Sequence, residues 1–505
     1  MKLAPNTTIT PAERARGERA LVQDAAWASL AGALYGGVIQ VGFALALGAG
    51  PFIIGLLAAI PLMAQATQLP AIALVEHVRQ RRKIAVIAVT AARILILSLA
   101  VLPFLDIGDV RLTWLLIAQV AICVLGSIGG CSVNSWLHQF LPREGLGAFF
   151  ARRLFWATSL ACAGSLATGM LVDHWAFGPK LHAYAVAFAL AGFAGFVSSW
   201  FLAHVPEPVM TDGGPAVTIR SRIVAPFRDR PFRSMLLYIA AWNAASNLAA
   251  PFLAVYLMQQ LGLSLGTVTT LWVTSQVANA MTLYLWGRLS DRLSNKAILA
   301  VALPVYFACV LGLVFAAVPH TAVIVLAALY GVHFVMGAAG GGISLATGNM
   351  GLKLAPHGQG TAYLAAISLV AAVTGGLVPI LGGSLAHWFE AVQLSVVVRW
   401  GLPGKSGEVS VLAFARWQFL FALSFLLGFL VMHALSRIRE GEEISERVVM
   451  QHFALEALRT VNQVSSVAGL LGNLFNFGRL RERRLVARRS DGIARESERR
   501  AETAA

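Results

Sequence analysis

Long apolar stretches of about 20 residues recur along the whole chain, separated by short polar segments. A stretch of that length, folded as an α-helix, crosses roughly 30 Å of hydrocarbon and satisfies its own backbone hydrogen bonds. The pattern therefore predicts an all-α membrane protein with twelve spans, near residues 25–48, 52–75, 84–105, 112–140, 154–175, 181–203, 235–260, 266–286, 297–317, 321–349, 361–388 and 412–434.

A polar interruption divides the twelve predicted spans into two sets of six. Residues 204–234 are rich in proline, glycine and arginine, which is typical of a solvated linker. The divisions predict a cytoplasmic N-terminal segment (1–24), a first six-helix bundle (25–203), a cytoplasmic linker (204–234), a second bundle (235–435) and a basic tail (436–505).

Composition agrees with a membrane protein, because 57% of the 505 residues are hydrophobic and only 12% are charged. A soluble protein carries about 25% charged residues. The four cysteines all lie inside apolar runs without paired spacing, which favours packing roles over disulfides or a metal site. The N-terminal residues lack the pattern of a removable signal peptide, so we expect the first span to target the chain.

Basic residues indicate the orientation, since lysine and arginine collect in cytoplasmic loops. The loops on one side are rich in both residues, whereas the opposite loops hold few of them. We therefore expect a multi-pass protein of the plasma (cell inner) membrane with both termini in the cytoplasm. The net charge of +15 is then explained by topology and contact with anionic lipid rather than by nucleic-acid binding.

The two halves repeat each other. The alignment offset between the halves that pairs Glu76 with Asp291 also pairs Trp27 with Trp242. An offset one residue shorter pairs Pro142 with Pro356. A duplicated six-helix unit with a substrate site near the membrane midplane is the architecture of many secondary transporters.

The loop after the second span of each half carries a recognisable motif. "GRLSDRLSNK" contains Gly287, Leu289, Asp291 and Arg292, and this Gly-x-Leu-x-Asp-Arg pattern resembles the major facilitator superfamily. The first half departs from the pattern, with Glu76 in place of the aspartate. The resemblance implies two pseudo-symmetric six-helix bundles that transport a small-molecule substrate by alternating access.

The same resemblance implies an inner gate at these loops. A carboxylate beside arginines can bond across to the neighbouring bundle and hold the gate shut. The alternative is that the basic residues only determine topology. The candidate gating residues are Glu76, Arg79, Gly287, Asp291 and Arg292.

Polar residues at mid-depth are candidates for substrate contact, because lipid offers them no partner. By analogy with the family, the helices that line the transport path carry Gln40, Gln65, Gln119, Asn243, Asn247, Gln276 and His333. Trp272 shares a helix face with Gln276. Each amide could instead make an interhelical hydrogen bond, worth about 1 kcal/mol.

Charged residues inside the spans are rare. Arg93 lies within the third span, where an arginine costs roughly 2.5–3.5 kcal/mol. Either it pairs with a group in the first half, which we favour because the third helix is usually peripheral in this family, or it attracts an anionic substrate. Histidine can take up a proton near neutral pH, so coupling of transport to a proton through His333 is an open alternative. Asp24 is placed at the mouth of the first helix, and no acidic residue lies at mid-depth, so neutral or anionic cargo is expected.

The sequence predicts no catalytic constellation, metal cluster or cofactor, so we expect a transporter rather than an enzyme. In the tail, an apolar patch at 467–477 precedes clustered arginines, which suits either a helix on anionic inner-leaflet lipid or a disordered basic segment. The main hypothesis is transport of a small polar solute. The alternatives are a lipid or lysolipid flippase, a drug exporter, and a transport-silent sensor or scaffold that acts through its tail.

Overall fold

The computed structural model describes residues 5–6, 9–106, 108–142, 146–210, 225–292, 294–315, 322–355, 360–402 and 405–438. The centre of the predicted linker and almost all of the basic tail lie outside these residues, and so does the predicted tail helix. We call the end of the bundle that holds Glu207 the inner end and the opposite end the outer end, following the predicted orientation.

Eight helices form the first half: α1 (Pro11–Tyr35), α2 (Gly37–Ala46), α3 (Pro51–Ala64), α4 (Gln68–Val78), α5 (Arg81–Leu99), α6 (Val110–Phe140), α7 (Leu146–Asp173) and α8 (Leu181–Ala203). Helices α1 and α2 together form the first span, which breaks at Gly36. Helices α3 and α4 form the second span and are joined by a 3₁₀ turn with a bend of 45°.

Six helices and two strands form the second half: α9 (Arg230–Val255), α10 (Leu265–Arg292), α11 (Asn295–Phe315), α12 (Ala322–Leu354), α13 (Gly360–Trp388), β1 (Gln393–Leu402), β2 (Lys405–Ala415) and α14 (Trp417–Ser436). The strands form an antiparallel hairpin at the outer end. The hydropathy pattern predicts a loop here and starts the twelfth span at residue 412, which lies inside the second strand.

The helices occupy the positions of the predicted spans. In the described part of the chain, ten helices are long and apolar enough to cross a membrane, and the bent α3–α4 pair is an eleventh. Helix α10 lies at the predicted eighth span and is 28 residues long, but its threonine, serine, glutamine and asparagine residues make it more polar. The fold is therefore a helical membrane protein of the predicted class.

The first helix begins earlier than its apolar run. Thr10 and Glu13 form a reciprocal capping box that satisfies the first N–H groups of α1. Gly17 lies against Phe140 and Pro206, and Leu21 is buried. Much of the predicted N-terminal segment is therefore a helical extension packed on the first half.

Most of the contact between the two halves is made by two helix pairs. Helix α3 packs against α13, and α7 packs against α10. Glycines permit the close approach, since a Cβ on Gly55 would overlap the carbonyl oxygen of Pro379 and one on Gly383 would overlap that of Pro51.

The buried apolar residues show where these contacts are strongest. One cluster at the outer end contains residues from both halves, such as Phe43 and Phe188 from the first and Phe252 and Phe421 from the second. Towards the inner end there are two further clusters, one in the second half and one in the first. The halves thus share a core at the outer end and have separate cores at the inner end.

Candidate functional site

A cavity of about 350 Å³ lies between the two halves, where the first span meets α7 and α10. Its lining residues are Ser29, Gly32, Ala33, Gly36, Gly37, Val38, Leu154, Ala157, Thr158, Ala161, Ser165, Trp272 and Gln276. Ligand pockets in proteins commonly have volumes of about 300–1,000 Å³. The cavity is therefore large enough for a small solute.

The break in the first span forms part of the cavity wall. Gly36 is extended, and Gly37 has a φ of 55°, in the left-handed region that glycine adopts at little cost. A Cβ added to Gly37 would meet open space rather than protein. The small side chains of Ala157 and Ala161 on α7 widen the opposite wall.

The polar groups of the lining are hydroxyls and one amide. Ser29, Thr158 and Ser165 supply the hydroxyls, and Gln276 supplies the amide one helical turn from the ring of Trp272. Gln276 is half-buried, and its side chain makes no hydrogen bond to any described residue. Every described residue of the lining is uncharged.

Two of the predicted amides lie at the interface between the halves but outside the cavity lining. The Nδ2 atom of Asn247 donates to the backbone oxygen of Asn243 at 3.0 Å and to its Oδ1 at 3.3 Å. Both amides lie beside Gly375 of α13, close to Leu62 of α3. They therefore pair with each other where α9 meets the helices that join the halves.

The other predicted polar residues also lie outside the lining. Gln40, Gln119 and His333 are buried. Gln119 donates to the sulfur of Cys123 at 3.4 Å, and the Nδ1 of His333 lies 2.8 Å from the carbonyl oxygen of its own helix at residue 329. Gln65 is exposed and accepts a hydrogen bond from the amide at position 68. Gln276 alone among the seven candidates lines the cavity described here.

The intramembrane arginine lies among groups of the first half. Arg93 passes over Gly195 of α8, where any larger residue would overlap its side chain. Asp24 is buried rather than placed at an open helix mouth, and it accepts a hydrogen bond of 2.7 Å from Ser198. Among the described residues, Asp24 and Arg93 form no ion pair, and the buried Nε atom of Arg93 has no hydrogen-bond partner. The pairing of Arg93 within the first half stays a prediction.

At the inner end of the first half, the predicted gating residues Glu76 and Arg79 are exposed. Arg79 ends α4 with a left-handed backbone, at a φ of 55°. Arg81 and Arg82 turn inward to Glu207 at the start of the linker, a partner that the sequence pattern does not reveal.

Glu207 closes the N-terminus of α5 with its carboxylate. It accepts hydrogen bonds from the backbone N–H groups of Arg81 at 2.7 Å and Arg82 at 3.1 Å, and its contact with the Arg81 side chain is 3.2 Å. Both partners of this ion pair are buried. A carboxylate at a helix N-terminus satisfies free N–H groups and the helix dipole, so the linker is fastened to the first half.

At the inner end of the second half, Gly287 is half-buried within α10. Asp291 and Arg292 are the last two residues of that helix, and their side chains lie outside the description. Lys296, at the start of α11, donates to the carbonyl oxygen of Ser436 at 3.5 Å within the same half. The gating role of the motif stays a prediction.

A further contact closes the outer end. The Oδ2 atom of Asp173, the last residue of α7, accepts a hydrogen bond of 2.8 Å from the backbone N–H of Gly266. Gly266 lies in the first turn of α10, so the bond joins the two halves. One turn below, Gly169 packs directly on Thr269. The order of residues in the sequence does not reveal this partner of Asp173.

Two helical halves with a solute-sized cavity between them are typical of a secondary transporter. A family model described as the Major Facilitator Superfamily matches residues 25–379, well over half of the chain. The chain belongs to this superfamily, and the resemblance read from its loop motif is confirmed.

Solved structures share the fold at low sequence identity. A nucleoside transporter, NupG, in a point-mutant form superimposes with a TM-score of 0.64 at 13% identity, covering 84% of this chain and all of that one. A bacterial homologue of the human lysosomal transporter Spinster, in an inward-facing and unoccupied conformation, superimposes with a TM-score of 0.59 at 13% identity. The match covers 86% of this chain and 100% of that one. A comparison with curated proteins returned no match.

Proposed function

We propose that this transporter moves a small, uncharged polar solute by alternating access and binds it in the cavity between α1, α2, α7 and α10. The observation that carries the proposal is the uncharged lining, which combines hydroxyls, an amide and an indole ring. Burying an ion away from water is costly unless it is paired, and none of the described lining residues can pair with one. Neutral cargo is therefore favoured over anionic cargo.

The distribution of buried cores supports an inward-facing state. The halves share one core at the outer end and have separate cores at the inner end. The bond between Asp173 and Gly266 closes the outer end on one side, and the α3–α13 contact closes it on the other. With the predicted orientation in the plasma membrane, solute in this state exchanges with the cytoplasm.

The lining suggests how a solute is recognised. Trp272 offers an aromatic face for a ring, and Gln276 offers both a donor and an acceptor to which no described residue bonds. The hydroxyls of Ser29, Thr158 and Ser165 suit a solute that itself carries hydroxyls. Nucleosides combine these features, and NupG is a nucleoside transporter, so they are the first class to test.

The test is a binding and uptake screen with purified protein in liposomes. The panel contains nucleosides, neutral sugars, amino acids, organic anions, hydrophobic drugs and lysolipids. We expect a neutral polar compound to raise the thermal unfolding temperature and to be taken up. Gln276→Ala should weaken binding about tenfold or more, because a hydrogen bond to the solute is worth about 0.5–1.5 kcal/mol and the buried polar atoms of the solute lose their partner.

Thr274→Ala is the matched control, because Thr274 lies on the same helix and bonds to its own backbone at residue 270, outside the lining. It should bind and transport as wild type does. Selective binding of an organic anion would overturn the choice of neutral cargo, and selective binding of a lysolipid would support a flippase. A compound that binds equally to wild type and Gln276→Ala would place the site elsewhere.

A further inference from the structure

The β1–β2 hairpin at the outer end has no role in the transport proposed above. Strands β1 and β2 follow α13 and precede α14 with only a few residues between, so they start where those helices leave the membrane. Their register runs from Gln393 opposite Ala415 to Leu402 opposite Lys405, with one irregularity after Val396. A strand of ten residues is about 33 Å long, so the hairpin extends well beyond its base.

The register divides the hairpin into two unlike faces, because alternate residues of a strand point to opposite sides. One face holds the positions of Leu394, Val396, Val398, Trp400 and Leu402 on β1 and of Lys405, Gly407, Val409, Leu412 and Phe414 on β2. The opposite face holds those of Gln393, Ser395, Val397, Arg399, Gly401, Ser406, Glu408, Ser410, Ala413 and Ala415. The hairpin is therefore amphipathic over most of its length, with one lysine on the mainly apolar face at the tip.

The base of the hairpin connects its apolar face to the surface of the bundle. Phe414, on that face, lies 5.5 Å from Phe419 of α14, and Phe419 stacks on Phe389 at 4.7 Å between ring centroids. An ion pair between Glu390 and Arg416 joins the two ends of the hairpin. The apolar face thus begins at the aromatic cluster that ends the spans.

Apolar surface continues from this cluster down both helices. Leu381 on α13 and Leu426 and Phe429 on α14 are each more than half exposed, as expected for side chains that face lipid. On the hairpin itself, Leu394 is 54% exposed and Val398 is 49% exposed. The protein therefore does not cover the described part of the apolar face beyond its base.

We propose that the hairpin lies along the lipid bilayer at the outer end of the transporter, with its apolar face on the lipid. Its base starts at the bilayer boundary and its apolar face continues the surface that α13 and α14 present to lipid. Near its tip the sequence carries Arg399, Trp400 and Lys405, residue types that anchor segments at the membrane interface. The positions of Trp400 and Lys405 are on the apolar face, and that of Arg399 is on the opposite face, which is mainly polar and suits water.

Two neighbouring valines give a matched test. Val397 and Val398 occupy opposite faces at the same distance from the base, and both are partly exposed, at 42% and 49%. Each is replaced by cysteine in the full chain, labelled with a nitroxide and placed in liposomes, with labelled wild type as the background for the four native cysteines. Electron paramagnetic resonance then compares accessibility to oxygen, which concentrates in lipid, with accessibility to a water-soluble nickel chelate.

We expect the oxygen-to-nickel accessibility ratio of Val398→Cys to be severalfold higher than that of Val397→Cys. High nickel accessibility at both positions would overturn the proposal, because the hairpin would then stand in water. Protection of both positions from both reagents would also overturn it. If both positions are protected, spin broadening that disappears on dilution with unlabelled protein would show that a second copy of the chain covers the hairpin. If no such broadening occurs, the protein's own helical bundle covers it. Transport does not enter this measurement.

Discussion

The bond between Asp173 and the backbone N–H of Gly266 offers a direct test of how the outer end is held closed. It joins the last residue of α7 to the first turn of α10 over 2.8 Å in a half-buried interface. Hydrogen bonds to charged groups contribute about 1.5–3 kcal/mol, and the carboxylate also faces the positive end of the α10 dipole. Taking about 2 kcal/mol, Asp173→Ala should shift the equilibrium towards an outer-open state by about 30-fold.

The population change can be measured as a distance distribution between two spin labels at the outer end. Phe177, after α7, and Gln259, after α9, are both exposed and lie in different halves, so cysteines there report the opening. If the open state of wild type is about 1% populated, the variant should raise it to roughly a quarter. Asp173→Asn, which keeps an acceptor oxygen without the charge, should give an intermediate shift.

Asp106→Ala is the control, since Asp106 is a fully exposed acid at the same end that pairs with Arg111. It should leave the distance distribution unchanged, because exposed ion pairs contribute little. If Asp173→Ala gave the same distribution as wild type, this bond would not stabilise the closed outer end. The closure would then depend on the α3–α13 contact.

Two further substitutions test the inner end and the cavity. Glu207→Gln removes the charge that the buried Arg81 requires and should destabilise the protein by about 3–5 kcal/mol; a thermal unfolding temperature equal to that of exposed Asp106→Asn would contradict this. Gly37→Ala should cost about 1–2 kcal/mol, because its backbone is left-handed, and should also weaken solute binding by adding a methyl group to the cavity. Gly48→Ala, also left-handed at a φ of 86° but outside the lining, should lose stability without losing affinity, and equal affinity loss in both variants would refute the role of Gly37.

Several properties of this transporter could be predicted from the sequence. The spans follow from local information, since about 20 apolar residues in a row have few alternatives to a membrane helix. Membership of the superfamily followed from one loop motif around Asp291. Gln276 was selected because it is a polar residue at mid-depth on a path-lining helix, and it lines the candidate cavity.

The hairpin and the early start of α1 were missed for opposite reasons. The alternating residues of β1 and β2 resemble the loop sequences that join spans, and nothing local shows that the strands pair. The capping box at Thr10 is a local signal, but it precedes the apolar run and so falls outside a search for spans. Hydropathy alone therefore places helices better than it places their ends or the structure between them.

The sequence by itself determined the class of fold, the number of repeated units and the residue types available for function, because length, hydropathy and motif spacing act over short stretches of chain. Only the tertiary structure decided which polar groups meet. Glu207 bonds to Arg81, which lies 126 positions away in the sequence, and Asp173 bonds to Gly266, which lies 93 positions away. Ser165 lines the cavity, whereas Gln119 and His333 do not. The physical reason is that these partners depend on how whole helices are rotated and packed, which the order of residues within one helix does not reveal.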